Sequence, residues 1–227
     1  MSIPDIAQTA ARALLDTRSV LFNAAEPFRY TSGNIGPVYV DCRRPLSFPL
    51  ERGTLMSMAV QVLHDEVGDK NIDIIAGAET AGIPYGAMIA DRMQKPMIYI
   101  RKKAKGHGRM SQIEGHFEDG TSPRVVLTED LQNFGHSKQV FVDALRTAGA
   151  TLEHFFVLFD YGIRPEVKAD NDKMGLTQHS LCNWYDVLAV ARAENYFDTQ
   201  TLDSVEAYLN DPATWVAAHS EHRKEQA

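Results

Sequence analysis

Residues 125–138 read VVLTEDLQNFGHSK. The apolar run Val125-Val126-Leu127 has the composition of a strand buried on both faces, and it ends on two adjacent carboxylates, Glu129 and Asp130. A polar loop with one glycine, Gly135, follows. Beyond it Val140, Phe141, Ala144, Leu145 and Ala148 recur at helical spacing. Buried strand, polar loop and amphipathic helix make half of a βαβ unit. Like charges at the mouth of a buried strand repel each other, so their pairing points to a ligand that uses both.

Similar units lie on either side. IDIIAG (72–77), MIYIR (97–101) and HFFVLFD (154–160) read as further apolar strands, and IPYGAMIADRMQ (83–94) as a helix between two of them. Four such strands separated by helices predict an α/β fold with a mostly parallel central sheet covered on both faces. Upstream, an amphipathic helix spans 5–15 and a short alternating strand runs through Val38, Val40 and Cys42. A loop marked by Pro45 and Pro49 leads to a helix over 50–66. The C-terminal third reads as two helices, WYDVLAVARAENYF (184–197) and TLDSVEAYLNDPATW (201–215), the second capped by Thr201 or Asp203. With 227 residues, no repeat and no linker, a single domain is expected over 1–227.

Composition removes several functions. The 23 basic and 30 acidic residues give a net charge of −7, which argues against general nucleic-acid binding. Cys42 and Cys182 stand far apart with no metal-binding spacing, as suits a reduced cytosolic setting. The opening MSIPDIAQTAARALLD lacks the core of a secretory signal, and no apolar run approaches the ~18 residues of a membrane span. A soluble cytoplasmic protein is expected.

In open parallel sheets, ligands sit beyond the carboxyl ends of the strands. Three loops fall there. AETAGIP (78–84), with Gly82 inside it and Gly77 just before it, makes a tight turn that either packs strand on helix or offers N–H groups to an anion. RKKAKGHGRMSQIEG (101–115) carries Arg101, Lys102, Lys103, Lys105, His107 and Arg109 with no acid among them. That loop is either a solvated basic stretch or a mobile cationic flap that closes on a polyanion. His107 and His116 lack a third metal ligand. The acids of the first stretch suit a metal ion, sugar hydroxyls or positive charge developing near a ribose, and QNFGHSK, leading into a helix, suits a phosphate. Together the loops describe a site for phosphoribosyl pyrophosphate.

These stretches resemble the type I phosphoribosyltransferases, and among them the branch that acts on orotate. VVLTED with its loop is similar to the class's phosphoribosyl pyrophosphate motif. RKKAKGHG resembles the orotate branch's flap, AGAETAGIP its pyrophosphate loop, and FRYTSGNIGPVYVDCR its N-terminal segment, with Gly36 in place of a serine. The resemblance covers roughly residues 20–165. It implies an N-terminal hood over 1–50, a core over 51–165 with a flexible flap, and C-terminal helices over 166–227.

By the same resemblance, Arg101, Lys102, Lys105 and His107 would grip the diphosphate, with the flap closing across a homodimer interface. Glu129 and Asp130 would hold the ribose hydroxyls. Leu131, Gln132, Asn133, Phe134, Gly135, His136 and Ser137 would wrap the 5-phosphate. Thr31, Tyr39, Val40 and Asn133 would meet the orotate ring. Lys105 and Asp130 would carry catalysis, and Mg²⁺ would arrive on the diphosphate with no direct protein ligand. The implied reaction makes orotidine 5'-phosphate, a step of pyrimidine (UMP) biosynthesis; a different base, or a regulator that binds the donor without much turnover, are the alternatives. The sequence departs from the family at Asn133, Phe134 and His136 in the phosphate loop. It departs again at Tyr161, where an arginine is expected, with Arg164 three residues on.

Overall fold

The computed structural model describes residues 3–30, 33–104, 112–132, 136–163 and 165–221. The chain opens with α1 (Ile3–Asp16), then short strands β1 (Val20–Phe22), β2 (Phe28–Arg29), β3 (Ile35–Gly36) and β4 (Val38–Val40), and α2 (Pro49–Glu66). The core follows as β5 (Ile74–Ala78), α3 (Gly82–Met93), β6 (Met97–Ile100), β7 (Ile113–Glu114), β8 (Arg124–Gln132), α4 (His136–Thr147) and β9 (Thr151–Asp160). It ends with α5 (Pro165–Lys173), β10 (Thr177–Asn183), α6 (Trp184–Ala193), α7 (Thr199–Asn210) and α8 (Pro212–Glu221).

Six strands form the main sheet in the order β10-β9-β8-β5-β6-β7. All neighbours are parallel except the β6–β7 pair. Two apolar clusters sandwich it. One gathers Ile75, Val126 and Phe156 with Tyr85 and Ile89 of α3, Leu55 and Leu63 of α2 and Trp184 of α6. The other gathers Ala76, Leu127 and Val157 with Phe141, Val142 and Leu145 of α4. Successive residues of a strand face opposite sides, so the all-apolar runs follow from having a core on each face.

The structure corrects the sequence reading at several elements, among them β7, which pairs with β6 inside the stretch read as a loop. A sixth strand, β10, lies where no strand was expected, because Thr177-Gln178-His179-Ser180 is polar. Its side chains are paired rather than apolar: Asn171 Nδ2 donates to Gln178 Oε1 at 2.8 Å, and buried His179 is bonded to Glu66. The second C-terminal helix is two helices, broken at Asp211-Pro212, where Asp211 Oδ1 accepts from the Thr214 N–H at 3.0 Å. The cap of α7 is Asp198, whose Oδ1 accepts from the Thr201 N–H at 2.8 Å, rather than Thr201 or Asp203.

What positions the site is the fit of α3 against β5 and β8. A Cβ on Gly86 would lie 3.1 Å from Gly77 Cα, and one on Gly77 would lie 2.7 Å from Ile83 Cα. A Cβ on Gly82 would collide with the Thr128 carbonyl oxygen and lie 3.1 Å from Glu129 Cα. The glycines thus serve close packing, and they bring the start of α3 against the acidic end of β8. Gly82→Ala is expected to destabilise the protein by about 1–3 kcal/mol through overpacking. Gly53→Ala in α2, where a Cβ meets nothing within 4 Å, should be neutral or stabilising by up to about 1 kcal/mol. Urea denaturation of the two variants checks the contrast.

Candidate active site

The β8 strand delivers its two acids to opposite faces. Val125 and Leu127 belong to the α4-side cluster and Val126 to the other. Alternation therefore sends Glu129 toward α4 and Asp130 toward α2 and α3. Their electrostatic neighbours agree. Glu129 feels Lys138 of α4 and Lys102, whereas Asp130 feels Arg43 and Asp41. Burial, reinforced by the charge of Asp130, pushes Glu129 up to about 7, against the pull of the two lysines. Burial also raises Asp130, and backbone N–H groups of Asp130 and Leu131 offset part of that rise.

The cationic loop springs from an antiparallel pair, Tyr99 opposite Glu114 and Ile100 opposite Ile113. Its base is clasped by the Arg101 N–H to the Gln112 carbonyl at 2.8 Å and by Gln112 Nε2 to the Arg101 carbonyl at 3.1 Å. Arg101 pairs with Glu114 at 3.4 Å, so part of its charge is spoken for. The Lys102 N–H donates to Glu79 Oε2 at 2.6 Å. That bond ties the cationic loop to the turn between β5 and α3, beside the acidic strand end. Lys102 and Lys103 are exposed. Lys105 and His107 lie outside the described residues, as do Thr31, Asn133, Phe134, Gly135 and Arg164. His136 and Ser137 open α4, directly after the loop expected to hold a phosphate.

At the hood, the pairing of β1 with β4 turns Val38 and Val40 into the core, 0% and 3% exposed, and leaves Tyr39 outside against Phe28 at 5.7 Å. The Val40 side chain packs with the core, which leaves its backbone as the part that could meet the orotate ring. Gly36 takes the place of a serine because no side chain fits. A Cβ there would collide with the Tyr30 hydroxyl and lie 2.9 Å from the Tyr208 ring of α7. Tyr30 donates to the Val38 carbonyl at 2.6 Å. Tyr161 is likewise a packing residue, 7% exposed and edge-on to Trp184 at 5.4 Å. It does not stand in for an arginine.

Two side chains near the acids escaped the sequence reading. Arg43 follows the hood strand and lies in the field of Asp130. Lys138 is buried at 1% exposure. Its spacing to Phe141, Val142 and Leu145 placed it on the inner face of α4, a legible signal masked by its charge.

Comparison with known proteins agrees with this geometry. Residues 53–191 match the phosphoribosyl transferase domain family. The chain is 49% identical to the orotate phosphoribosyltransferase of Dinoroseobacter shibae over 96% of its own length and 97% of that protein. It is 48% identical to the one from a Ruegeria species over 96% of each chain. Among solved structures, orotate phosphoribosyltransferase from Aeropyrum pernix superposes with a TM-score of 0.65 at 28% identity, over 83% of this chain and 99% of that one. Leishmania donovani UMP synthase does so with a TM-score of 0.74 at 28% identity, over 89% of this chain and 42% of that longer one.

The raised Glu129 has a sign that can be measured. Folding favours its protonated form, so the stability this carboxyl contributes is fully present below the unfolded value near 4.5 and is lost as pH climbs through about 7. The loss should be on the order of 2–3 kcal/mol. Urea midpoints measured at acidic and alkaline pH should differ in the wild type. Glu129→Gln should flatten most of that difference, and an unchanged pH dependence in the variant would contradict the burial of this carboxyl.

Proposed function

The chain belongs to the phosphoribosyltransferase family, in its orotate branch, and from that premise we propose how its residues share the work. The reaction transfers ribose 5-phosphate from phosphoribosyl pyrophosphate to a ring nitrogen of orotate, giving orotidine 5'-phosphate and pyrophosphate. The observation that carries the reading is the juxtaposition at the end of β8. Half-buried carboxylates stand beside the turn of Glu79–Gly82, to which the root of the cationic loop is bonded. Acids beside cations suit a ligand with hydroxyls at one end and a diphosphate at the other.

In this proposal Glu129 and Asp130 accept hydrogen bonds from the ribose hydroxyls. The end of β8 and the first turn of α4, Leu131 to Ser137, enclose the 5-phosphate. Arg101, Lys102, Lys105 and His107 face the diphosphate, and the hood presents Thr31 and Tyr39 to the base. As the C1–O bond breaks, positive charge grows on the ribose and negative charge on the departing diphosphate. Carboxylates near C1 favour the first and flap cations the second. Closing the flap excludes water that would otherwise intercept the ribose.

Mg²⁺ keeps its waters and prefers phosphate oxygens, so in this proposal it is carried in on the diphosphate. When bound, Mg²⁺ would neutralise charge on the leaving diphosphate. A homodimer in which each flap serves the neighbouring site, and a cytosolic location with Cys42 and Cys182 as free thiols, complete the proposal.

Orotate-dependent release of pyrophosphate tests the reaction; absence of release with orotate refutes it. Lys105→Ala should keep the fold and lower turnover roughly a hundred- to a thousandfold. Mixing Lys105→Ala with Asp130→Asn subunits should restore activity, because a mixed dimer has one site with both lesions and one with neither. No recovery after verified subunit exchange would show that each flap serves its own subunit.

A further inference from the structure

Lys138 is a buried cation for which the mechanism above has no use. Its Nζ donates to Gln132 Oε1 at 2.7 Å and to Asn171 Oδ1, and it lies 4.5 Å from the centre of the Phe155 ring. Asn171 is itself held in place by its bond to Gln178. Lys138 sits on α4, Gln132 at the end of β8 and Asn171 on α5, so one ammonium fastens three elements. Burying a cation is costly unless something compensates it. Here its hydrogen-bond acceptors are neutral amides. Glu129, Asp160 and Asp170 act on it only through their field, and burial lowers the amine to about 8.

The direction of these bonds matters. A lysine only donates, so Gln132 must turn its oxygen toward Lys138 and its NH₂ away. Gln132 Nε2 is buried and, among the described residues, has no hydrogen-bond partner. A buried donor without a partner costs free energy, which a ligand that accepts from it would recover.

Taking the reading of residues 131–137 as its basis, we infer that Lys138 is a positioning residue for the 5-phosphate of the donor. It pins the end of β8 to α4 and α5, holds Gln132 with a donor free for an anion, and places positive charge beneath that anion. A purely structural tether would affect every substrate alike. A positioning role touches only the substrates that carry the 5-phosphate.

The test runs Lys138→Met and Lys138→Gln in both reaction directions. Phosphoribosyl pyrophosphate and orotidine 5'-phosphate carry the 5-phosphate; orotate and pyrophosphate do not. KM for the first two should rise roughly ten- to a hundredfold, the value of a hydrogen bond involving a charged group. KM for the other two should stay unchanged, and the Gln variant, which can donate without charge, should fall between Met and wild type. Ribose 5-phosphate titrated calorimetrically should show the same loss without turnover. Equal changes in all four KM values, or a fall in kcat with every KM unmoved, overturn the inference. A wild type that ignores orotate while its ribose 5-phosphate affinity still depends on Lys138 would refute the base assignment and leave this role standing. Should neither variant fold, the wild type decides. Ribose 5-phosphate affinity should fall as pH rises through about 8, where the ammonium loses its proton, and a flat affinity across that range overturns the inference.

Discussion

The site exists because α3 lies against β5 and β8 at a distance only glycine permits. Gly77 and Gly86 let the helix settle on the strand, and Gly82 lets its first turn meet the Thr128 carbonyl. Adding one methyl at Gly82 would push the turn off the end of β8. Glu79, in that turn, would then lose its hold on the Lys102 N–H, and the cationic loop would lose its tie to the acidic strand. One steric constraint thus fixes the relative positions of the groups with opposite charge. The apolar core on the α2–α3 face of the sheet supplies the force that holds α3 there.

That arrangement leaves the ligand-free site electrostatically unsatisfied. Glu129 is lifted to about 7 by burial and by Asp130, while buried Lys138 is lowered to about 8. Each charge would be cheaper in water. Protein folds tolerate such costs where a ligand supplies the missing partners. In the proposed assignment hydroxyls would relieve the acids and an anion would relieve the lysine, so a molecule bearing both would be selected over one bearing either.

Much of this was legible in the sequence, and the limits have physical causes. The buried strands announced themselves as apolar runs, since a sheet covered on both faces leaves no alternation to read. The acids and the glycine turn stood at strand ends, where parallel sheets place ligands. β10 was illegible because paired side chains, Gln178 with Asn171 and His179 with Glu66, replace apolar burial. Val40 and Tyr39 could not be told apart by motif alone; the pairing of β1 with β4 decided which faced the core. Gly36 stood in the sequence as an unexplained departure from a serine, and its reason is packing, because α7 brings Tyr208 to that spot. Lys138 closed the loop QNFGHSK without a role of its own, since burial of a charge depends on neighbours far along the chain.

The central claim is that the buried carboxyl of Glu129 engages the ribose of the donor. It is tested most directly by calorimetric titration of phosphoribosyl pyrophosphate with Mg²⁺ at pH 7, in buffers of differing ionisation heat. A group titrating near the working pH is about half protonated, and it must ionise to accept two hydroxyls. The wild type should therefore release on the order of half a proton more per bound donor than Glu129→Gln does. Identical proton exchange in the two proteins, or no donor binding by the wild type, would contradict the account.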